Sequence, residues 1–455
     1  MMRHSRALLL ASLLLLVAPA QAVTRINLEQ AIDMALAADP RIDEKRAFVN
    51  KAEALLREVE GKGGLLVNLN SYLALTTDVD GGFYTGGRES CDVNCQPRDD
   101  AYDIDNVSLW LGLTFSIVKP LTTFGQLENY ELAARNSILI KQQDVTLEKQ
   151  VVKLQVVQAY NGFLAARDSR FLLEDTRKRL ESALELVNGW LDEGSGKVKL
   201  SDQYALQAGL GLVDRYLAEA SGLERIAMAG LRLLTGVAED EELEVEDSRL
   251  QPVELPERSL DQWISMALEN RAEFKQVEAG LEARRALVEA KRASEKPIVY
   301  AGVAGSAAYT PGRAKLDNPF LYDPFNHVAA SPLIGMTWHW EADAQPAQVE
   351  QEQAELDALV HKASFARKGI PFEVSEQYHL VKARFDGLLA MKQSALAARR
   401  WMIAAYSDFE AGLGEAEKIL TAMQAYVLAY TDYVRIVNDF NNHVSKLESV
   451  SGVYE

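Results

Sequence analysis

Residues 28–67 recur at 260–299, and this duplication constrains the chain more than any single motif in it. Leu28-Glu-Gln30-Ala-Ile32-Asp-Met34-Ala35-Leu36 returns without a gap as Leu260-Asp-Gln262-Trp-Ile264-Ser-Met266-Ala267-Leu268. Both copies run on as Ala- and Glu-rich helical sequence, then turn into apolar strand at Leu65-Leu-Val67 and Pro297-Ile-Val299. Later, Leu111–Phe115 is echoed by Ile334–Trp338. The period is about half the chain, so this is a duplication and not a solenoid. A length of 455 residues would otherwise suggest two or three domains; a duplicated helical chain can be one elongated body.

The chain begins with basic Met1–Arg6, follows with nearly unbroken apolar sequence over 7–18, and reaches Ala20-Gln-Ala22. That order reads as a secretory signal peptide, 1–22, cleaved before Val23. Its apolar core is too short for a retained transmembrane helix. No Cys stands at the cleavage point, so no lipid anchor is expected there. Past residue 22 no apolar run reaches spanning length, leaving an exported chain that is soluble outside the cytoplasm or inserted as a β-barrel. Acidic residues outnumber basic ones 66 to 48, a net charge of −18, or −20 once Arg3 and Arg6 leave with the signal. Such a surface excludes nucleic acid as a partner, because phosphates need basic patches. It leaves room for an acidic water-filled interior.

In chain order, 23–64 reads as a periplasmic helix, one helix from Leu28 to about Gly61. Over 65–118 a β-hairpin follows. Leu65, Val67, Leu69, Ser71, Leu73 and Leu75 alternate with Leu66, Asn68, Asn70, Tyr72, Ala74 and Thr76. Its second strand alternates in the same way from Val107 and is expected to end at Lys119-Pro120. Each is about the length of a tilted transmembrane strand, for which roughly 9–11 residues suffice. Between them, 78–106 is a loop carrying eight Asp or Glu.

Residues 119–236 read as a long helical hairpin. The span 125–193 lacks proline and as a helix would reach roughly 100 Å. Gly194-Ser-Gly196 turns the chain. In the returning helix Leu206, Leu210, Val213, Leu217, Ala220, Glu224, Ala227, Leu231 and Leu234 keep a 4-3 spacing that only Glu224 interrupts, the mark of coiled-coil packing. An acidic linker, 237–259, leads to the second copy. That copy has a helix over 260–296, a hairpin over 297–341, and a helical hairpin with C-terminal segment over 342–455. Gly369-Ile-Pro371 is expected to interrupt and kink its long helix. Met423, Tyr426, Tyr430, Tyr433, Val437, Phe440, Val444 and Leu447 form its last seam. Four strands cannot close a barrel alone, and open edges are not tolerated in lipid, so transmembrane strands would require oligomers. Three copies would give twelve strands.

With these features in view the chain resembles the outer-membrane efflux protein family of TolC. The resemblance rests on the duplication, the LxxAIxxAL opening of each half, and the order of strands and long helices, and covers nearly all of the mature sequence. It implies a mostly α protomer with transmembrane β: a homotrimer with a 12-stranded β-barrel in outer-membrane lipid, continued by an α-helical coiled-coil barrel into the periplasm. It also implies work with a periplasmic adaptor protein and an inner-membrane pump. The family's periplasmic tip carries a Y-x-x-G turn, and Phe409-Glu-Ala-Gly412 is similar, with Phe for Tyr. The resemblance therefore makes Gly194, Ser195, Gly196, Lys197, Glu410, Ala411, Gly412 and Leu413 adaptor-contact residues. A family member's D-V-L-D-A gate corresponds to Lys418-Ile-Leu-Thr421-Ala422, which lacks both carboxylates. Asp202, Lys418 and Thr421 are the aperture candidates.

Other chemistry has blander readings. Gly194-Ser-Gly-Lys197 lacks the spacing and flanks of a phosphate loop and reads as a helix–helix turn. His327, His339, His361, His379 and His443 form no i,i+4 pair, so neither metal site nor cofactor is expected. Cys91 and Cys95, in an exported loop, read as a disulfide, with a C-x3-C metal site as the lesser alternative. Trp338 and Trp340 are expected on one strand face with Ile334 and Met336, as an interfacial aromatic belt. No enzyme is expected. The expectation is the outer-membrane channel of a tripartite efflux or type I secretion system, a passive conduit with a periplasmic gate. A soluble periplasmic or secreted coiled-coil structural protein is the rival.

Overall fold

The structure, a computed structural model, describes residues 23–78, 106–238, 240–316 and 320–453. Its elements are β1 (Val23–Ile26), α1 (Leu28–Ala38), α2 (Pro40–Lys62), β2 (Leu66–Thr77), β3 (Val107–Thr122), α3 (Gln126–Asp192), α4 (Leu200–Thr235), β4 (Glu242–Val245), α5 (Leu260–Asn270), α6 (Ala272–Ala293), β5 (Ile298–Tyr309), β6 (His327–Thr337), α7 (Ala344–Glu410) and α8 (Ala416–Val450). Two compact units emerge. One takes the described residues of 1–43, 147–271 and 369–455, the other those of 44–146 and 272–368.

In the first unit the duplicated openings share one device. The Asn27 carboxamide oxygen accepts the Gln30 N–H at 2.9 Å while the Gln30 side chain accepts the Asn27 N–H at 3.1 Å. Ser259 and Gln262 repeat the exchange at 3.4 and 2.8 Å. These are capping boxes, which satisfy two orphan N–H groups at each helix start and explain why Gln is the residue repeated. Ala35 and Ala267, at matching places, are both fully buried.

The expected single helices are each two. Asp39 is extended at φ −72°, ψ 116°, as a residue before proline must be, and Pro40 opens α2 at the position where its missing N–H costs nothing. The second copy breaks at Arg271, φ −59°, ψ 130°, without proline. There the Arg271 guanidinium donates to Glu373 Oε2 at 2.6 Å and to the Val450 carbonyl at 3.3 Å, so a tertiary contact holds the break.

Four helices form the core of this unit. Leu173, Leu180 and Val187 of α3, Leu206, Val213 and Ala220 of α4, and Ile419, Met423 and Tyr426 of α8 share one apolar cluster with Met402 and Phe409 of α7. On α7 every seventh residue from Val374 through Val381, Leu388, Ala395 and Met402 to Phe409 is buried, the repeat of knobs into holes. The helix continues across Pro371, against the expected interruption. One lost hydrogen bond is absorbed where dozens of neighbouring bonds and a continuous buried stripe hold the segment helical.

The acidic linker also holds more than the sequence promises. β4 pairs in parallel with β1, Val23 against Glu242 through Ile26 against Val245. Beyond it, residues 246–253 are strapped to helices. The Tyr160 hydroxyl donates to Asp247 at 2.6 Å, buried Asp168 accepts the Leu250 N–H at 3.1 Å, and Asn441 accepts the Val253 N–H at 2.9 Å. Burial pushes the Asp168 carboxyl above its usual range, the Leu250 N–H opposing it.

The second unit holds an antiparallel sheet of order β2-β3-β5-β6. Register places Leu69 opposite Phe115, Leu73 opposite Leu111, Ile117 opposite Val303 and Ala301 opposite Ile334. Directly opposed residues share a face, so one face is an apolar sheet. The other collects Asn70, Thr114 and Ser306, with Ser116, Ala304 and Ser331 along it. β3 does not stop at Pro120 but reaches Thr122, with a register shift between the two. Its pairing with β2 ends at Val118, so the prolyl nitrogen sits where β2 asks for no donor, beside a bulge. β6 ends at Thr337, which leaves Trp338 and Trp340 past the strand and not on its face as expected. Both are exposed, and the Trp338 indole donates to the Glu295 carbonyl at 3.0 Å.

Candidate functional site

The turns that end α3 and α7 are one structure built twice. After α3 the Gly194 N–H donates to the Leu191 carbonyl and the Ser195 N–H to the Trp190 carbonyl, both at 3.1 Å. After α7 the Gly412 N–H donates to Phe409 at 2.8 Å and the Leu413 N–H to Asp408 at 2.9 Å. Both are Schellman motifs, which need a left-handed residue at the fifth place. Glycine supplies it, with φ 62° at Gly194 and 75° at Gly412.

The turns lie together. The Trp190 ring meets Phe409 edge-on at 5.3 Å, and the Lys197 ammonium stands 5.2 Å from the Trp190 centroid. A Cβ placed on Gly412 would have the Lys197 ammonium 3.6 Å away. Phe409, the residue standing where the family motif has Tyr, is fully buried. Leu413 projects into solvent, 84% exposed. Sequence reasoning reached the two turns but missed Trp190, whose position one helical turn before Gly194 was the available signal. Gly194 to Lys197 and Glu410 to Leu413 thus share one end of the four-helix core.

The aperture candidates sit differently. Asp202 caps its own helix, accepting the Lys199 N–H at 2.8 Å. Lys418 is exposed on α8, and the exposed Thr421 hydroxyl donates to the Glu417 carbonyl at 2.9 Å. No hydrogen bond or ion pair joins these three among the described residues. Cys91 and Cys95 lie outside the described residues. Of the histidines, His443 reaches Gln377 through Nδ1 at 3.0 Å and His327 reaches Ser306 through Nε2 at 2.9 Å.

A second surface belongs to the sheet. Val67, Leu69, Leu73 and Leu75 of β2, Leu109 and Leu111 of β3, and Ile334 and Met336 of β6 are all exposed on the apolar face. Water is a poor neighbour for a patch of this kind. Among the described residues β2 and β6 each pair on one side alone. No helix of the described residues is long and apolar enough to cross a membrane.

The duplicated order of helix, hairpin and long helix, with this sheet, is the fold of outer-membrane channels. The Campylobacter jejuni outer membrane channel CmeC matches at a TM-score of 0.75 and 13% identity, covering 94% of this chain and 85% of that one. The Vibrio cholerae outer membrane protein VceC matches at 0.70 and 15%, covering 93% and 96%. The Neisseria gonorrhoeae outer membrane channel MtrE, solved in its open state, matches at 0.69 and 14%, covering 94% and 89%. No family model matches the sequence, and no curated protein matches it either. The fold that the resemblance implies thus has its match in solved outer-membrane channels, at 13–15% identity.

Proposed function

We propose that three copies of this chain form an outer-membrane channel, the exit duct of a tripartite efflux or secretion system. The carrying observation is a four-stranded sheet with one exposed apolar face and two edges that pair on one side alone. In lipid each edge must find a partner, and joining β6 of one copy to β2 of the next closes twelve strands into a barrel. The apolar face then meets lipid and the polar face lines water. The soluble structural rival would leave that face in water at a cost of roughly 25 cal/mol for each Å² of apolar surface.

The helical core carries the second half of this reading. On α4, Leu212, Tyr216, Leu223, Ile226 and Leu233 are exposed and fall on a second 4-3 register beside the buried one, with Glu219 and Gly230 at its two intervening places. It suits a helix from a neighbouring copy. The paired turns at Gly194–Lys197 and Glu410–Leu413 would meet the periplasmic adaptor, and Asp202, Lys418 and Thr421 would ring the aperture. The chain makes and breaks no bonds in this role; an inner-membrane pump supplies the drive.

Single-channel conductance in a planar bilayer tests the proposal, with oligomeric mass determined on the same detergent-extracted sample. Discrete steps from a trimer are expected. A detergent-free monomer that is electrically silent would overturn it in favour of the structural rival.

A further inference from the structure

The polar face of the sheet ends beneath a folded loop. β2 and β3 stay paired out to Thr77 and Val107, while β5 follows β3 only to Tyr309 opposite Leu111. The chain after Thr310 fills the place a longer β5 would take. The Gly312 N–H donates to the Ser108 hydroxyl at 2.9 Å. The Arg313 guanidinium donates to the Thr76 hydroxyl at 3.0 Å and the Thr77 carbonyl at 3.1 Å.

That guanidinium lies 3.8 Å over the centroid of Phe325, whose ring is 4.8 Å from Trp110, which is in turn 5.0 Å from Tyr72. Trp110 and Tyr72 belong to the polar face, opposite Ala74 and Gly112. The two described limbs, Thr310–Leu316 and Phe320–Asn326, are tied to each other as well. Buried Asp323 accepts the N–H groups of Leu316, Phe325 and Asn326 within 3.1 Å, and Asn326 accepts the Thr310 N–H at 2.9 Å while donating to the Arg313 carbonyl at 3.1 Å. Next along the same face come small residues, Thr114, Ser306, Ala304 and Ser331, before Tyr300 and Leu333 near the end that joins the helices. The tied limbs with Trp110 and Tyr72 thus add bulk at the end of the sheet remote from α2, α3, α6 and α7, which join its other end, with a stretch of small residues between.

We propose that these limbs form a fixed sill on the inner wall of the channel's outer mouth, that the sill sets the size of what can pass there, and that Arg313, stacked on Phe325, which in turn packs against Trp110, holds it. The inference rests on the reading of the polar face as a water-filled lumen. A cation against an aromatic face, with hydrogen bonds to a strand end, anchors a loop at modest energy. A narrowing at the outer mouth would act in series with the periplasmic aperture, so total conductance reports it poorly and access from outside reports it directly.

The test places a thiol deeper on the same face, Asn70→Cys, roughly 20 Å along β2 from Thr76 at about 3.3 Å per residue. The background carries Cys91→Ser and Cys95→Ser. Maleimide-polyethylene glycols of graded mass are added to intact cells. Replacing 311–325 by a short Gly-Ser turn is expected to move the largest polymer that labels the thiol to greater mass, and Arg313→Ala with Phe325→Ala to move it the same way. An unchanged limit in the shortened form overturns the sill. A shift in the shortened form alone overturns the part given to Arg313 and Phe325. Failure of even the smallest maleimide to label any form, with the protein in the outer membrane, overturns the lumen itself. Heat-modifiable mobility verifies assembly, and Arg313→Ala alone serves if the shortened form does not assemble.

Discussion

Arg170 of α3 closes the one charged gap in the apolar seam of α4, its Nε 2.5 Å from Oε2 of Glu224 and its Nη1 2.7 Å from Glu174. The seam keeps its 4-3 spacing through Glu224 because the guanidinium meets the carboxylate where a leucine would have met another. Glu224→Ala leaves Arg170 half-buried with Glu174 alone. The expected loss is about 1–2 kcal/mol, below that for a fully buried pair, since solvent still screens the site. Arg170→Met with Glu224→Leu should restore or exceed the original melting temperature. A single variant as stable as the parent would show that the pair contributes nothing.

The second register of α4 predicts assembly. Leu223→Glu with Ile226→Glu should convert the proposed trimer to monomers by mass while leaving far-ultraviolet dichroism unchanged, because both side chains are exposed within one chain. A charged trimer of full mass would remove α4 from the interface.

The two sheet faces should respond unequally to one substitution. Leu73→Arg, on the apolar face, is expected to destabilise folding into bilayers by about 2–4 kcal/mol near the mid-plane. Asn70→Arg, on the polar face, should change it little. Folding yield into lipid vesicles, read by heat-modifiable mobility, distinguishes them, and equal losses would contradict a lipid-facing Leu73 and a lumen-facing Asn70.

Acidification should loosen α8 from α7. Burial first, then the charge of Arg384, lowers the His443 pKa from its ordinary 6.5, with Asp439 and Glu376 opposing. The fold therefore prefers the neutral ring. Its stabilisation is complete above about 6.5 and is lost as pH falls from there through the lower folded value. The melting temperature should drop as pH falls below about 6.5, and His443→Gln should flatten that part of the profile.

The paired turns predict a lock. In the proposed trimer, disulfides between Ser195→Cys and Leu413→Cys of adjacent protomers should stop the proposed export, and a reductant should restore it. Export undiminished by complete cross-linking would deny the turns any movement during opening.

Periodic features were legible in the sequence because they are local. The seams of α4 and α8, the alternation of β2 and the ends of α3 and α7 are each written within a few turns of chain, and the structure places them within a residue or two. What stayed hidden depends on distant partners. β1 and β4 are four residues each and find one another across more than two hundred positions, leaving no pattern to read. Arg271 breaks a helix without proline because Glu373 and the Val450 carbonyl await it. At the turns the glycines announced themselves, whereas the Trp190–Phe409 contact joins two helices that only tertiary packing brings together. Pro120 misled for the opposite reason: a local stop signal was overruled where the neighbouring strand had already ended.

The edges of β2 and β6 have a bearing on how much of this protein a cell can make. In the proposed trimer, a lone chain would display two unpaired strand edges and an exposed apolar face, and its productive fate would need two encounters with its own kind. Output should rise more steeply than linearly with the supply of new chains, since scarce ones meet proteases or unrelated strands before they meet siblings. Chaperones that shield such edges would then govern abundance more strongly than transcription does at low expression.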